Sequence, residues 1–263
     1  MADMNRYKPW ALLIGTTSVG FRNLRVMSEN LKEVLRSDGA TYPDLVEQLQ
    51  KRPVFRAEIF DPSLVTEFQA VQSGETFESI TIIWRAITQE GGPGGDYLSF
   101  TIALGALMPV ALNSPFESIA TLEIECRVRY DTGVAYAIGT TSGAQAIVSK
   151  FYRAKELVLG SDTIDLIRSV NATWTHRIVQ EEMIEPDHYG YDQLDFEGTA
   201  DLPDLSLVNL ARLEDGSTEV VTVTLEDLET PANTIAYSFG TCDVMAVASG
   251  DSAQVSWQKL QQV

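Results

Sequence analysis

The sequence predicts a mainly β protein built from two tandem modules, and three observations predict it. First, residues 54–60, 78–87, 97–104, 120–131 and 218–229 are β-branched or alternate polar with apolar residues at period two, the spacing of strands with one buried face. Second, glycine and proline clusters punctuate these runs, at GGPGGD (91–96), PAN (231–233) and SGD (249–251). Third, the halves echo one another. GETFESITI (74–82) resembles GSTEVVTV (216–223), YLSF (97–100) resembles AYSF (236–239), and MPVA (108–111) resembles MAVA (245–248). The matches keep their order, with 27 residues from Thr81 to Met108 and 23 from Thr222 to Met245. The expected fold is therefore two β-sandwich or half-barrel modules, each with a short helix. The first spans 1–150, including a linker at 132–150, and the second spans 151–263.

Residues 9–27 open with PWALLIG and read as a first strand and turn. Ser28 is placed to cap a short helix carrying Leu31, Val34 and Leu35, with Gly39 at its end. Pro43 and Asp44 would open a second helical turn carrying Leu45, Val46 and Leu49. VFRAEIF (54–60) and ESITIIWRAI (78–87) read as strands, GGPGGD as a loop, and YLSFTIAL (97–104) as the next strand. ATLEIECRVRYD (120–131) is the cleanest strand. Leu122, Ile124, Cys126 and Val128 point to a core, while Glu123, Glu125, Arg127 and Arg129 point to solvent, a lumen or a neighbouring subunit. In the second half, 162–174 is strand-like, 180–206 reads as a long acidic loop, and 218–229, 234–248 and 252–263 read as strands.

Composition narrows the function classes. The chain has 263 residues, 44% of them hydrophobic, enough for one large or two ordinary cores. No apolar run approaches the ~18 residues that suggest a membrane span. The start, MADMNRYKPW, lacks the basic-then-apolar layout of a signal peptide, so synthesis in a cytoplasm is expected. Net charge is −18 and uneven: residues 1–150 carry 13 Lys+Arg against 17 Asp+Glu, and residues 151–263 carry 6 against 20. A field of this sign repels nucleic acid and argues against a protein that grips DNA. Composition alone favours acidity that serves solubility; a channel that must let DNA slide past is the other reading.

No catalytic signature emerges, and the chain is read as a non-enzyme without cofactor or metal. Cys126 and Cys242 lack a CxxC partner and read as buried thiols. GTTSVG (15–20) and GTTSGA (139–144) lack the lysine of a phosphate loop and read as turns. His176 and His188 flank Glu181, Glu182, Glu185 and Asp187, but without metal-ligand spacing. Asp201 and Asp204 lack the pattern of a calcium loop. No GxSxG or Cys–His arrangement is present. Trp84, Trp174, Trp257, Tyr97 and Tyr237 lie in expected strands and read as core or interface aromatics rather than a sugar platform.

These features together resemble the tail tube proteins of long-tailed bacteriophages and the related hub and baseplate proteins. The resemblance is carried by GETFESITI and GSTEVVTV, by ATLEIECRVRYD and by the alternating ending SAQVSWQKLQQV. It implies hexameric rings of single modules, hence a homotrimer with pseudo-sixfold symmetry for a duplicated chain. It implies a continuous inner β-barrel, stacked rings, contacts with other tail proteins and DNA passing through the lumen without stable binding. The implied location is the virion tail, assembled in the host cytoplasm. Glu123, Glu125, Arg127 and Arg129, with Glu226, Asp227 and Glu229 in the second half, are the candidate lumen or subunit-interface residues. A hub, terminator or baseplate ring is the structural alternative, and a carbohydrate-binding β-sandwich the alternative of another class.

Overall fold

The computed structural model describes residues 6–28, 31–35, 45–50, 53–63, 77–87, 93–128, 136–141, 150–180, 189–204 and 216–259. Strands dominate, and no α-helix occurs among the described residues. In chain order the first half holds β1 (Arg6–Ile14), β2 (Thr17–Val19), β3 (Phe21–Ser28), β4 (Leu31–Leu35), β5 (Leu45–Gln50), β6 (Pro53–Ile59), β7 (Phe77–Ile87), β8 (Pro93–Ser114), β9 (Thr121–Val128) and β10 (Tyr136–Thr141). The second half holds β11 (Tyr152–Leu159), β12 (Asp162–Ile164), β13 (Ser169–Gln180), β14 (Tyr189–Leu202), β15 (Ser217–Asp227), β16 (Thr234–Ser249) and β17 (Ser252–Lys259). All pairings are antiparallel. They join into one open 15-stranded sheet, apart from a two-stranded ribbon of β4 and β5.

The pairing pattern of the first half recurs in the second. β1 folds back on β2 through Gly15, and β11 on β12 through Gly160, with φ of 59° and 60°. Glycine adopts this left-handed φ without the steric cost other residues meet, which suits it to two-residue hairpin loops. Next, β1 pairs with β7 and β11 with β15. Ile14↔Ile80, Leu13↔Thr81 and Leu12↔Ile82 are matched by Leu159↔Val221, Val158↔Thr222 and Leu157↔Val223. Each pairing then slips at one residue, between Pro9 and Ala11 in the first and between Ala154 and Glu156 in the second. β8 and β16 are the long strands. Each pairs first with its predecessor, β7 or β15, and then with its successor, β9 or β17. β6 sits between β3 and β9 as β14 sits between β13 and β17.

The two sets join at one seam. The end of β8 pairs with β13 through Ala111↔Thr173, Leu112↔Ala172, Asn113↔Asn171 and Ser114↔Val170. Buried residues of both halves form one hydrophobic cluster, with Leu12, Phe55, Ile80, Ile102, Leu122 and Ile124 from the first and Leu157, Val223, Tyr237, Val255 and Trp257 from the second. Side contacts close the seam: the Tyr237 hydroxyl donates to the Pro62 carbonyl at 2.5 Å, the Ala154 N–H donates to Ser114 Oγ at 2.9 Å, and Phe60 packs on Phe151.

Several expectations need correction. The two expected helices are strands β4 and β5, paired through Val34↔Val46 and Leu35↔Leu45. A helix this short is marginal on local propensity alone, so pairing between the two segments overrides the helix-forming Leu, Lys, Glu and Gln. GGPGGD is not all loop, because β8 starts at Pro93, opposite Ile87. Proline is tolerated at a strand's first residue. The acidic stretch 180–206 holds the 14-residue strand β14. GTTS at 139–142 is not a turn over Gly139–Thr141, which lie in β10 and pair with β8. His188, Glu181, Glu182, Glu185 and Asp187 lie outside the described residues. The second sequence echo is out of register by two. Tyr97 opposes Arg85, while Thr234 opposes Glu226, the position equivalent to Arg85. YLSF therefore matches TIAY (234–237), and Phe100 corresponds to Tyr237.

Candidate functional site

A continuous row of side chains crosses nine strands on the face opposite the core. Cross-strand partners share a face of a sheet, so the register traces the row directly. It runs Thr218, Asp243, Gln258, Glu197, Thr173, Ala111, Glu123, Glu58, Arg22, through β15, β16, β17, β14, β13, β8, β9, β6 and β3. A parallel row runs Met245, Ser256, Thr199, Asn171, Asn113, Thr121. A third in the second half runs Val247, Gln254, Asp201, Ser169. The alternate residues of the same strands are core: Phe196, Ala200 and Leu202 on β14, Val255 and Trp257 on β17, Ile124 and Cys126 on β9.

The second-half portion of this face carries Asp201, Asp243 and Glu197 among hydroxyls and amides, and no Lys or Arg stands in its three rows. Gln254 donates to Asp201 Oδ1 at 2.9 Å and Ser169 to Oδ2 at 2.6 Å. A shallow depression of about 340 Å³ lies here, lined by Asn171, Thr173, Glu197, Thr199, Ser256 and Gln258. The first-half portion is different, because Glu58 and Glu125 are paired with arginines. Glu125 accepts from Arg56 Nε and from Arg127 Nε, each at 2.8 Å. Glu58 pairs with Arg22 and accepts from Asn23 Nδ2 at 2.6 Å. Burial opposes ionisation of Glu58, but these hydrogen bonds and the Arg22 charge outweigh it and lower its pKa.

Of the residues singled out from sequence, Glu123, Glu125 and Arg127 stand together on the outer face of β9, as the alternation predicts. Arg129 lies outside the described residues. Glu226 is away from them, hydrogen-bonded by Arg153 Nε at 2.8 Å. Asp227 is buried and shapes a turn: its Oδ1 accepts from the N–H groups of Glu229 at 2.8 Å and Thr230 at 3.3 Å. Glu229 sits in that turn. Sequence reasoning did not single out Glu58, Glu197 or Asp243 as site residues, and weighed Asp201 only as a calcium ligand. The signal for β14 was present in the alternation of Asp195, Glu197, Thr199 and Asp201 with Phe196, Gly198, Ala200 and Leu202.

The remaining chemistry is structural. Cys126 and Cys242 are free and buried. Burial pushes both thiols up, Cys242 to about 11. Burial also raises Tyr237 well above the usual phenol range, with Asp61 and Tyr152 adding to it. Trp257 and Tyr237 are core residues, and Trp174 packs on Phe239 with ring centroids 5.8 Å apart. Among the described residues no His, Cys, Asp and Glu group could hold a metal, and no helix is long and apolar enough to cross a membrane. No known family model matches the chain. No curated protein matches it either.

Proposed function

We propose that the chain is a structural subunit of a bacteriophage tail: a tube protein of two like modules, 1–150 and 151–263, that closes into trimeric, pseudo-hexameric rings. The observation that carries this reading is the recurrence of the strand pairing. β1, β2, β3, β6, β7, β8 and β9 pair among themselves in the order in which β11 to β17 do. A chain of two like units, joined edge to edge through β8 and β13, suits repetition around an axis. Closing such a sheet removes its exposed edges.

In this reading the rows through Glu58, Glu123, Glu197 and Asp243 line the channel. Weak repulsion between phosphates and the carboxylates of the second half keeps DNA mobile, because in the first half Arg22 offsets Glu58 and Arg56 and Arg127 offset Glu125. The protein has no catalytic task, and its partners are its own copies and other tail proteins in the virion, assembled in the host cytoplasm. The burial of Trp257 and Tyr237 gives no support to a sugar platform. Negative-stain electron microscopy of the purified protein tests the proposal: rings that stack into tubes are expected. Single rings without stacking would shift the reading to a hub, terminator or baseplate ring. Monomers at high concentration would contradict it.

A further inference from the structure

The seam between the halves has a second, unfilled counterpart. On β8 the edge opposite β9 is taken, at Ala111–Ser114, by β13. The equivalent edge of β16 follows Val244, where β15 stops pairing, and runs from Met245 to Ser249 with β17 on its other side. Among the described residues no strand pairs with it. Likewise β13 has β14 on one edge and β8 on the other, while among the described residues its counterpart β3 has β6 alone. Among the described residues the chain thus carries one filled seam and both halves of an empty one.

Side-chain burial differs in the same sense. Ala172 of β13 is 2% exposed, whereas its counterpart Val26 of β3 is 41% exposed and the neighbouring Met27 37%. Leu112 of β8 is 1% exposed, whereas its counterpart Ala248 of β16 is exposed, as are the flanking Met245 and Val247. Strand edges flanked by exposed apolar side chains invite pairing with another chain.

We infer that β16 of one copy adds to β3 of a second copy, reproducing the β8–β13 seam between molecules. The register follows from the filled seam. Ala111 opposes Glu123 and Val247 opposes Gln254, the counterpart of Glu123, so Val247 takes the place of Ala111. Thr173 opposes Glu197 and Met27 opposes Val54, the counterpart of Glu197, so Met27 takes the place of Thr173. Val247 of one copy therefore faces Met27 of the next on the outer side, and Ala248 faces Val26 on the core side. The β16–β17 hairpin turns tightly at Gly250, so this seam is shorter than the one inside the chain. Its two apolar pairs stand where Ala111↔Thr173 and Leu112↔Ala172 stand in the filled seam, and Ser249 against Arg25 takes the place of the polar Asn113↔Asn171 rung. Two complementary edges on one chain make a head-to-tail contact, which closes into a ring when the rotation permits.

The inference rests on the reading of the halves as like modules, and the test separates the two. Met27→Cys and Val247→Cys are made as separate proteins of distinguishable mass; both sites are exposed, so folding is retained, and a thermal melt checks it. The two are mixed, oxidised and run without reducing agent. Disulfide-linked heterodimers in at least several-fold excess over either like-with-like dimer are expected. As a second arm, Val247→Glu should lower the oligomer mass in native mass spectrometry. If wild type is a ring-sized oligomer but no heterodimer forms, the seam is wrong and the ring survives. If wild type is monomeric and no heterodimer forms, both fail. Heterodimers from a protein that never stacks into tubes would keep the seam and remove the tube.

Discussion

Glu125 and Ser256 occupy the same rung of the two halves, opposite Met108 and Met245. Around Glu125 the first half builds an ionic cluster, with Arg56 and Arg127 on either side and Glu58 bound by Arg22. Around Ser256 the second half places Thr199, Gln254 and Gln258, which are neutral. The backbone register is kept while the chemistry of the face opposite the core is replaced, with Glu125 itself buried beneath its arginines. The core shows the same separation: Phe55 opposes Cys126, while at the equivalent rung Gly198 opposes Trp257. A large residue with a small one is retained, but the strands have exchanged roles. A Cβ on Gly198 would lie 2.2 Å from the Trp257 ring, so the glycine is a condition of the tryptophan. Pairing fixes the fold, and each rung then adapts so long as volume and polarity balance.

Truncation of the core rung gives the largest expected effect. Trp257→Ala should destabilise by about 3–5 kcal/mol, because the ring is fully buried and leaves a cavity. Gly198→Ala should cost about 1–3 kcal/mol or more by overpacking. Installing the first half's pair, Gly198→Phe with Trp257→Cys, should cost less than the sum of the single changes by about 0.5–3 kcal/mol. Urea unfolding midpoints read all three, and strict additivity would break the equivalence of the rungs.

The outer rung is next. Glu125→Ala should cost about 1–2 kcal/mol, since it leaves two guanidinium groups without their carboxylate, though Arg56 is open enough to regain water. Ser256→Ala at the matching rung should stay within about 0.5 kcal/mol. Equal effects would mean that the charged cluster is incidental.

Acidification should act through the first half. The folded pKa of Glu58 is lowered, so its contribution is complete above the unfolded value of about 4.3. It is lost as pH falls through the lower folded value. Denaturation midpoints followed across this window should therefore fall with pH, and Arg22→Gln should flatten the slope. The smallest effect is expected at the thiols. At pH 8 burial should hold both cysteines against iodoacetamide until the protein unfolds, read by mass.

What the sequence made legible followed from clean alternation. β9 could be read because Leu122, Ile124 and Cys126 are large enough to mark an inner face against Glu123, Glu125 and Arg127. β14 alternates as well, but its signal is weak, because its inner face includes Gly198, which fits beneath Trp257, and the small Ala200. Its acids then resembled a solvated loop. β4 and β5 were misread because capping residues near a short apolar run look local, whereas the pairing partner that decides the structure lies some ten residues away. The MPVA and MAVA echo is in register, eight residues beyond Phe100 and Tyr237, while YLSF and AYSF are displaced by two. The acidic face depends on register across nine strands, and no local pattern encodes that.

Native mass spectrometry of the purified chain tests the central claim most directly. Two like units per chain, set in the pseudo-sixfold ring proposed for the tail, predict a closed assembly of three 29.0 kDa chains. A monomer that persists as concentration rises would contradict it.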